Sequence, residues 1–191
     1  HLLGLTYAKR SDQINALENF EKAVKLNDSE ENVIYDYIQV LKQFDINSTA
    51  ENQYNALIAL NTADKQKYEV EYANFLNDVQ NNPVKAEDIT HTIMTEWDGY
   101  SSASDVFKSE ILDAHAWSLF LQEKNGDAQS FIDDSLEANP YNAMAHFHKG
   151  KIEEKDGKYN TAVESYSRAV DLSLNEELSK LANQNFVRLT K

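Results

Sequence analysis

The chain has no cysteine, two prolines and five glycines in 191 residues, and 18 Lys and Arg against 32 Asp and Glu. Each shortage excludes something. Without cysteine there is no disulfide framework and no thiolate chemistry. So few prolines and glycines permit long helices almost everywhere. The glycines are also too scattered to form a phosphate-cradling loop, and no Gly-x-Ser-x-Gly elbow occurs. A net charge of −14 argues against nucleic acid, whose phosphates need a basic stripe. No apolar run approaches the ~20 residues that span a bilayer, and no signal-peptide pattern opens the chain. The opening HLLGLTYAKR reads as the middle of a helix, so a piece of a longer protein is expected.

What is present is a stride. Gly150, Ala162 and Ala169 place small residues where two helices must touch, and Phe147, Ile152, Tyr159, Val163, Tyr166 and Val170 fill between them. This order resembles the tetratricopeptide repeat, a helix–turn–helix unit of about 34 residues. With Gly150 as the eighth position of that pattern, Ala162 is the twentieth, Tyr166 the twenty-fourth and Ala169 the twenty-seventh. Gly4, Tyr7, Ala16, Phe20 and Ala23 repeat the arrangement at the start of the chain, and Leu112, Ala116, Leu119, Ala128, Ile132 and Pro140 repeat it before the last unit. Ala50, Tyr54 and Leu57 mark a second unit whose eighth position is the larger Ile38. A third unit has Tyr72 there, and its Ala86 comes two places late.

The resemblance implies an all-α fold, a right-handed α-solenoid of about five helix pairs with a C-terminal capping helix. The expected organisation is one array over 1–191, with units 1–30, 31–64, 65–97, 109–142 and 143–174, a loop at 98–108 and a cap at 175–191. Candidate caps for the second helices are Ser11 and Asp12, then Asn47, Ser48 and Thr49, then Asp127. Asn125-Gly126-Asp127 is read as a turn.

A metal site finds no support in the spacing. His146 and His148, beside His115, are the best candidates, but residues two apart on a helix point about 200° from each other. Adjacent acidic pairs such as Glu153-Glu154 diverge in the same way. No catalytic residue, cofactor or metal is assigned, and the remaining chemistry is recognition.

In the family, the first helix of each unit lines the concave side. That implies partner-binding roles for Tyr35 and Gln39 in unit two and Glu69 in unit three. It implies the same for Asp113, Trp117 and Phe120 in unit four and Phe147 in unit five, with Met144, Lys151 and Lys155 nearby. Aromatic rings supply contact area and carboxylates pair with Lys or Arg. The expected partner is therefore a protein or peptide with a basic or amide-rich surface. The competing reading is that Trp117 and Phe120 only pack against the next helix. Acidity is uneven: residues 1–150 hold 11 of the Lys/Arg and 25 of the Asp/Glu, while residues 151–191 hold seven of each.

One family function is disfavoured. Binding a chaperone's acidic tail takes a set of Lys, Asn and Arg across three units. Here the equivalent positions are His1, Leu5, Asp36, Gln66 and Val70, then Tyr35, Gln39, Val70, Glu110 and Ala114, then Glu69, Ala73, Ala114, Met144 and His148, and none is such a set. The leading expectation is a non-catalytic scaffold with an acidic, aromatic groove. The alternatives are a structural subunit of a larger assembly, or the substrate-selecting part of a larger enzyme.

Overall fold

A computed structural model describes all residues from His1 to Lys191. They form eleven α-helices and no strand: α1 (Leu2–Lys9), α2 (Gln13–Leu26), α3 (Glu31–Gln43), α4 (Asn47–Ala59), α5 (Lys65–Asp78), α6 (Pro83–Glu96), α7 (Asp105–Leu121), α8 (Asn125–Ala138), α9 (Ala143–Lys155), α10 (Tyr159–Leu172) and α11 (Glu176–Leu189). No helix is long and apolar enough to cross a membrane. The chain divides into two compact units, His1–Tyr72 and Ala73–Lys191, with the boundary inside α5.

The stride has a backbone counterpart. Ser11, Asp45, Asn81, Glu123 and Gly157 all have positive φ, between 50° and 75°. Each follows the first helix of a pair. Beyond four of them an amide reaches back five residues to a carbonyl: Asp12 to Tyr7 (3.0 Å), Ile46 to Leu41 (2.9 Å), Lys124 to Leu119 (3.0 Å) and Lys158 to Glu153 (2.8 Å); beyond Asn81 the Asn82 amide reaches back six, to Leu76 (2.9 Å). This is the Schellman closure, which satisfies carbonyls that a helix end leaves bare. From Ser11 to Asp45 is 34 residues, to Asn81 36 more, to Glu123 42 more and to Gly157 34 again. The extra two residues are the late Ala86, and the extra eight are the insertion after α6.

Those closures also correct the expected caps. Asp12 does cap α2, accepting the Asn15 amide. Helix α4, however, begins at Asn47 after Ile46 with no side-chain cap, so Asn47, Ser48 and Thr49 lie inside it. Asn125, Gly126 and Asp127 are the first turn of α8 rather than a turn between helices. The chain has already reversed at Glu123, so the next residues are free to start a helix. Asp127 sits near the helix N-terminus without capping it, where its charge suits the macrodipole.

The expected loop 98–108 is shorter than its composition suggested. Tyr100–Ser102 make a 3-10 turn. Ser104 caps α7 by accepting the Phe107 amide at 3.2 Å, so residues from Asp105 are helical. Phe107 lies edge-on to Trp97 at 6.0 Å, and a Cβ on Gly99 would stand 2.5 Å from the same indole.

Inside the first unit, a Cβ on Gly4 would come within 2.6 Å of the Phe20 ring, and Phe20 stacks on Tyr37 at 5.3 Å. The large residues at the eighth positions of units two and three are buried as well. Tyr72 stacks on Tyr54 at 5.2 Å and donates its hydroxyl to Glu51 at 2.8 Å. Inside the second unit, Gly150 meets Tyr166 as Gly4 meets Phe20, with 2.6 Å from a built Cβ to the ring. Ala116, Leu119, Ala128, Ile132, Ala145 and Ile152 form its core between α7, α8 and α9.

Candidate functional site

Four of the seven expected binding residues gather in the second unit. Asp113, Trp117 and Phe120 recur at i, i+4 and i+7, which puts them on one face of α7. Helix α9 packs beside α7 and brings Phe147, His148 and Lys151. Trp117 stacks on Phe120 at 5.0 Å and on His148 at 4.2 Å, and its indole N–H donates to Asp78 at the end of α5 (2.9 Å). The ring is thereby fixed on both faces or edges by other groups, yet it stays half-buried. Phe147 continues the run, tilted against His148 and Tyr166 with centroids 5.9 Å away from each.

These rings wall a cavity of about 360 Å³, lined by Asp78, Trp117, Met144, Phe147, His148, Asn175, Glu177, Leu178 and Leu181. A second depression of about 290 Å³ shares Trp117 and is lined by Phe120, Lys151, Glu154 and Lys155. Lys151 also holds its ammonium 5.8 Å from the centre of the Phe147 ring. Apolar walls with a few polar groups on the rim suit an anchoring side chain of a partner.

Asp113 does not face the cavity, contrary to expectation. It is buried and accepts a 2.8 Å hydrogen bond from His148 Nδ1, itself buried. A carboxylate without a partner at that depth is costly, and the imidazole of the next unit supplies one. The Asp113 carboxylate is engaged by His148, which stacks against Trp117.

The other three expected residues, Tyr35, Gln39 and Glu69, lie in the first unit. Tyr35 is half-buried; its hydroxyl donates to Glu71 at 3.3 Å, and its pKa is raised, chiefly by burial and then by that carboxylate. Glu69 lies 3.7 Å from Lys65, and burial raises its pKa against the lysine's opposing pull. The Gln39 amide nitrogen is buried without a hydrogen-bond partner. Much of this unit's acidity is used internally, since Tyr68 donates to Glu31 (2.6 Å) and Tyr72 to Glu51 (2.8 Å).

Sequence reasoning missed three contributors. Asp78 and His148 were not assigned to the site, and α11 was read only as a cover, whereas its Leu178 and Leu181 form a wall. A usable signal was the period itself. Residues about one unit apart touch: Asp113 with His148 (35 apart), Asp78 with Trp117 (39 apart) and Glu154 with Arg188 (34 apart).

Comparison with known proteins bears on the repeats and the fold. The tetratricopeptide repeat model matches residues 1–30 and 143–176, in each of which a glycine of one helix lies against an aromatic ring of the next. The chain carries tetratricopeptide repeats in those two segments and has the all-helical fold of tetratricopeptide repeat proteins. Solved structures of other repeat proteins share its fold. One is PilW, a type IV pilus biogenesis factor, with 14% identity, TM-score 0.69 and coverage of 98% of this chain and 87% of that one. Another is pilF of Pseudomonas aeruginosa, at 15% identity, TM-score 0.66, and 98% and 86% coverage. A third is YrrB, described as having an unusual peptide-binding site, at 15% identity, TM-score 0.58, and 95% and 88% coverage. No curated protein matches the sequence. Tetratricopeptide repeat proteins are in general non-catalytic scaffolds that bind proteins or peptides.

Proposed function

We propose that this tetratricopeptide repeat protein is a non-catalytic interaction scaffold, and that it holds a peptide or protein segment in the aromatic cavity of its second unit. The observation that carries this is Trp117. Its orientation is fixed by Phe120, His148 and Asp78, and it still borders two depressions. A ring immobilised before binding loses little entropy on contact, which is what makes such residues effective anchors. His148 does not suit proton transfer: one face is covered by the indole and Nδ1 is committed to Asp113. The partner segment contributes an apolar or aromatic side chain to the cavity, next to basic or amide groups that meet Asp78 and Glu177.

The test is calorimetric titration with peptides selected by display against the whole chain. Trp117→Ala and Phe147→Ala should each weaken binding by about tenfold or more, the scale of an interface hot spot. Tyr159→Ala, an exposed ring on α10 outside the cavity, should leave it unchanged. Peptides that bind all four proteins equally would refute the assignment of the site.

A further inference from the structure

The cavity and its neighbour carry opposite charge, and this separation specifies more about the partner than the acidity of the whole chain does. On the cavity side the ionised groups are Asp78 and Glu177. Asp78 accepts a hydrogen bond from the neutral Trp117 indole, which leaves its charge uncompensated, and Glu177 has no cationic partner either.

On the other side are Lys151, Lys155 and Glu154. Glu154 is neutralised, since Arg188 contacts both of its oxygens at 2.6 and 2.7 Å and Tyr166 donates to it as well. Lys151 meets the Asn185 amide oxygen at 3.4 Å and the Phe147 ring at 5.8 Å, and neither is an anion. Lys155 has one loose, exposed pairing with Glu123 at 3.7 Å. The net local charge is therefore negative on one side of Trp117 and positive on the other.

We infer that the segment bound here is bipolar: a Lys or Arg beside Asp78 and Glu177, an apolar anchor against Trp117, and a carboxylate beside Lys151 and Lys155. This rests on the site proposed above and replaces a uniformly basic partner with a charge-ordered one. Complementary charge at a rim fixes register and rejects wrong partners more than it adds affinity. The arrangement would set how a segment lies across the indole.

Four labelled ten-residue peptides with the same central leucines and blocked ends test this by fluorescence anisotropy. One carries Lys on one flank and Asp on the other, one Lys on both, one Asp on both and one Gln on both. The bipolar peptide should bind tightest, by about fivefold or more over each of the others, and its advantage should shrink at high salt. Glu177→Lys should remove its advantage over the all-Asp peptide, and Lys151→Glu its advantage over the all-Lys peptide. Both positions line open depressions, and circular dichroism of each variant is the check on its folding. Four equal affinities that are all lost in Trp117→Ala would overturn the charge order while leaving the site standing. No binding by any of the four, or binding indifferent to Trp117→Ala, would overturn the site and the charge order together.

Discussion

Trp117 lies flat on His148, with ring centroids 4.2 Å apart and planes 7° from parallel. His148 is in turn held by Asp113, whose buried carboxylate it contacts at 2.8 Å. The half-buried indole therefore rests on a buried polar pair, and the stability of one is tied to the orientation of the other. Asp113→Ala strands the imidazole N–H in the interior. It should cost about 2–4 kcal/mol by urea denaturation and weaken the near-ultraviolet circular dichroism of the indole. A loss below about 1 kcal/mol with an unchanged spectrum would mean that the pair supports nothing.

Gly150 and Gly126 make opposite predictions for the same substitution. A Cβ on Gly150 falls 2.6 Å from the ring of the fully buried Tyr166, whereas one on Gly126 meets nothing within 4 Å. Gly150→Ala should destabilise by about 1–3 kcal/mol through overpacking. Gly126→Ala, in the first turn of α8, should be neutral or stabilise by up to about 1 kcal/mol through helix propensity. Thermal unfolding of the two variants side by side checks the claim that small residues sit where helices touch.

The turn residues allow a reciprocal exchange. Glu123 and Gly157 hold the same place in successive units, with φ of 62° and 75°. Only glycine adopts that region without strain. Glu123→Gly should therefore be neutral or stabilise by up to about 1 kcal/mol, and Gly157→Glu should destabilise by about 1 kcal/mol. Equal effects of the same sign would show that these turns are not αL closures.

His115 gives a pH dependence. Its Nδ1 is 2.8 Å from the Thr90 hydroxyl, Phe131 lies edge-on at 4.5 Å, and His91 stacks at 6.3 Å. Burial pulls its pKa down to about 4, with Glu87 opposing the shift and His91 and Lys124 adding to it. The folded state thus keeps the ring neutral where the unfolded chain, near 6.5, takes up a proton. The unfolded state binds more protons between those values, so stability falls as pH drops from about 6.5 to about 4. Between pH 7 and 5 this contributes a loss of about 1–2 kcal/mol. His115→Gln should remove that slope in denaturation midpoints. A variant that keeps the full slope would place its origin elsewhere.

Much of the fold was legible because it rests on side-chain size. Gly4, Ala116 and Gly150 lie where the stride puts them, and Ala16, Ala128 and Ala162 are fully buried. Helix starts were less legible. The αL closures are made by Ser, Asp, Asn, Glu and Gly alike, so composition pointed to Asn125-Gly126-Asp127 when the reversal occurs at Glu123. The site was half legible. Trp117, Phe120 and Phe147 are on the face that the helical period assigns them. Asp113 looked like a contact residue because its partner, His148, is 35 positions away and was weighed only as a metal ligand and as a clamp position for an acidic tail. Recognition of charge order also needed coordinates, since Glu154 counts as acidic until Arg188 is seen beside it.

The most direct test of the central claim is a nitrogen-15 NMR titration of the two indole N–H groups with the bipolar peptide, assigned through Trp97→Phe. The Trp117 signal, whose proton is donated to Asp78, should shift progressively to saturation while that of Trp97 stays in place. Saturable peptide binding that leaves the Trp117 indole unmoved would contradict the account.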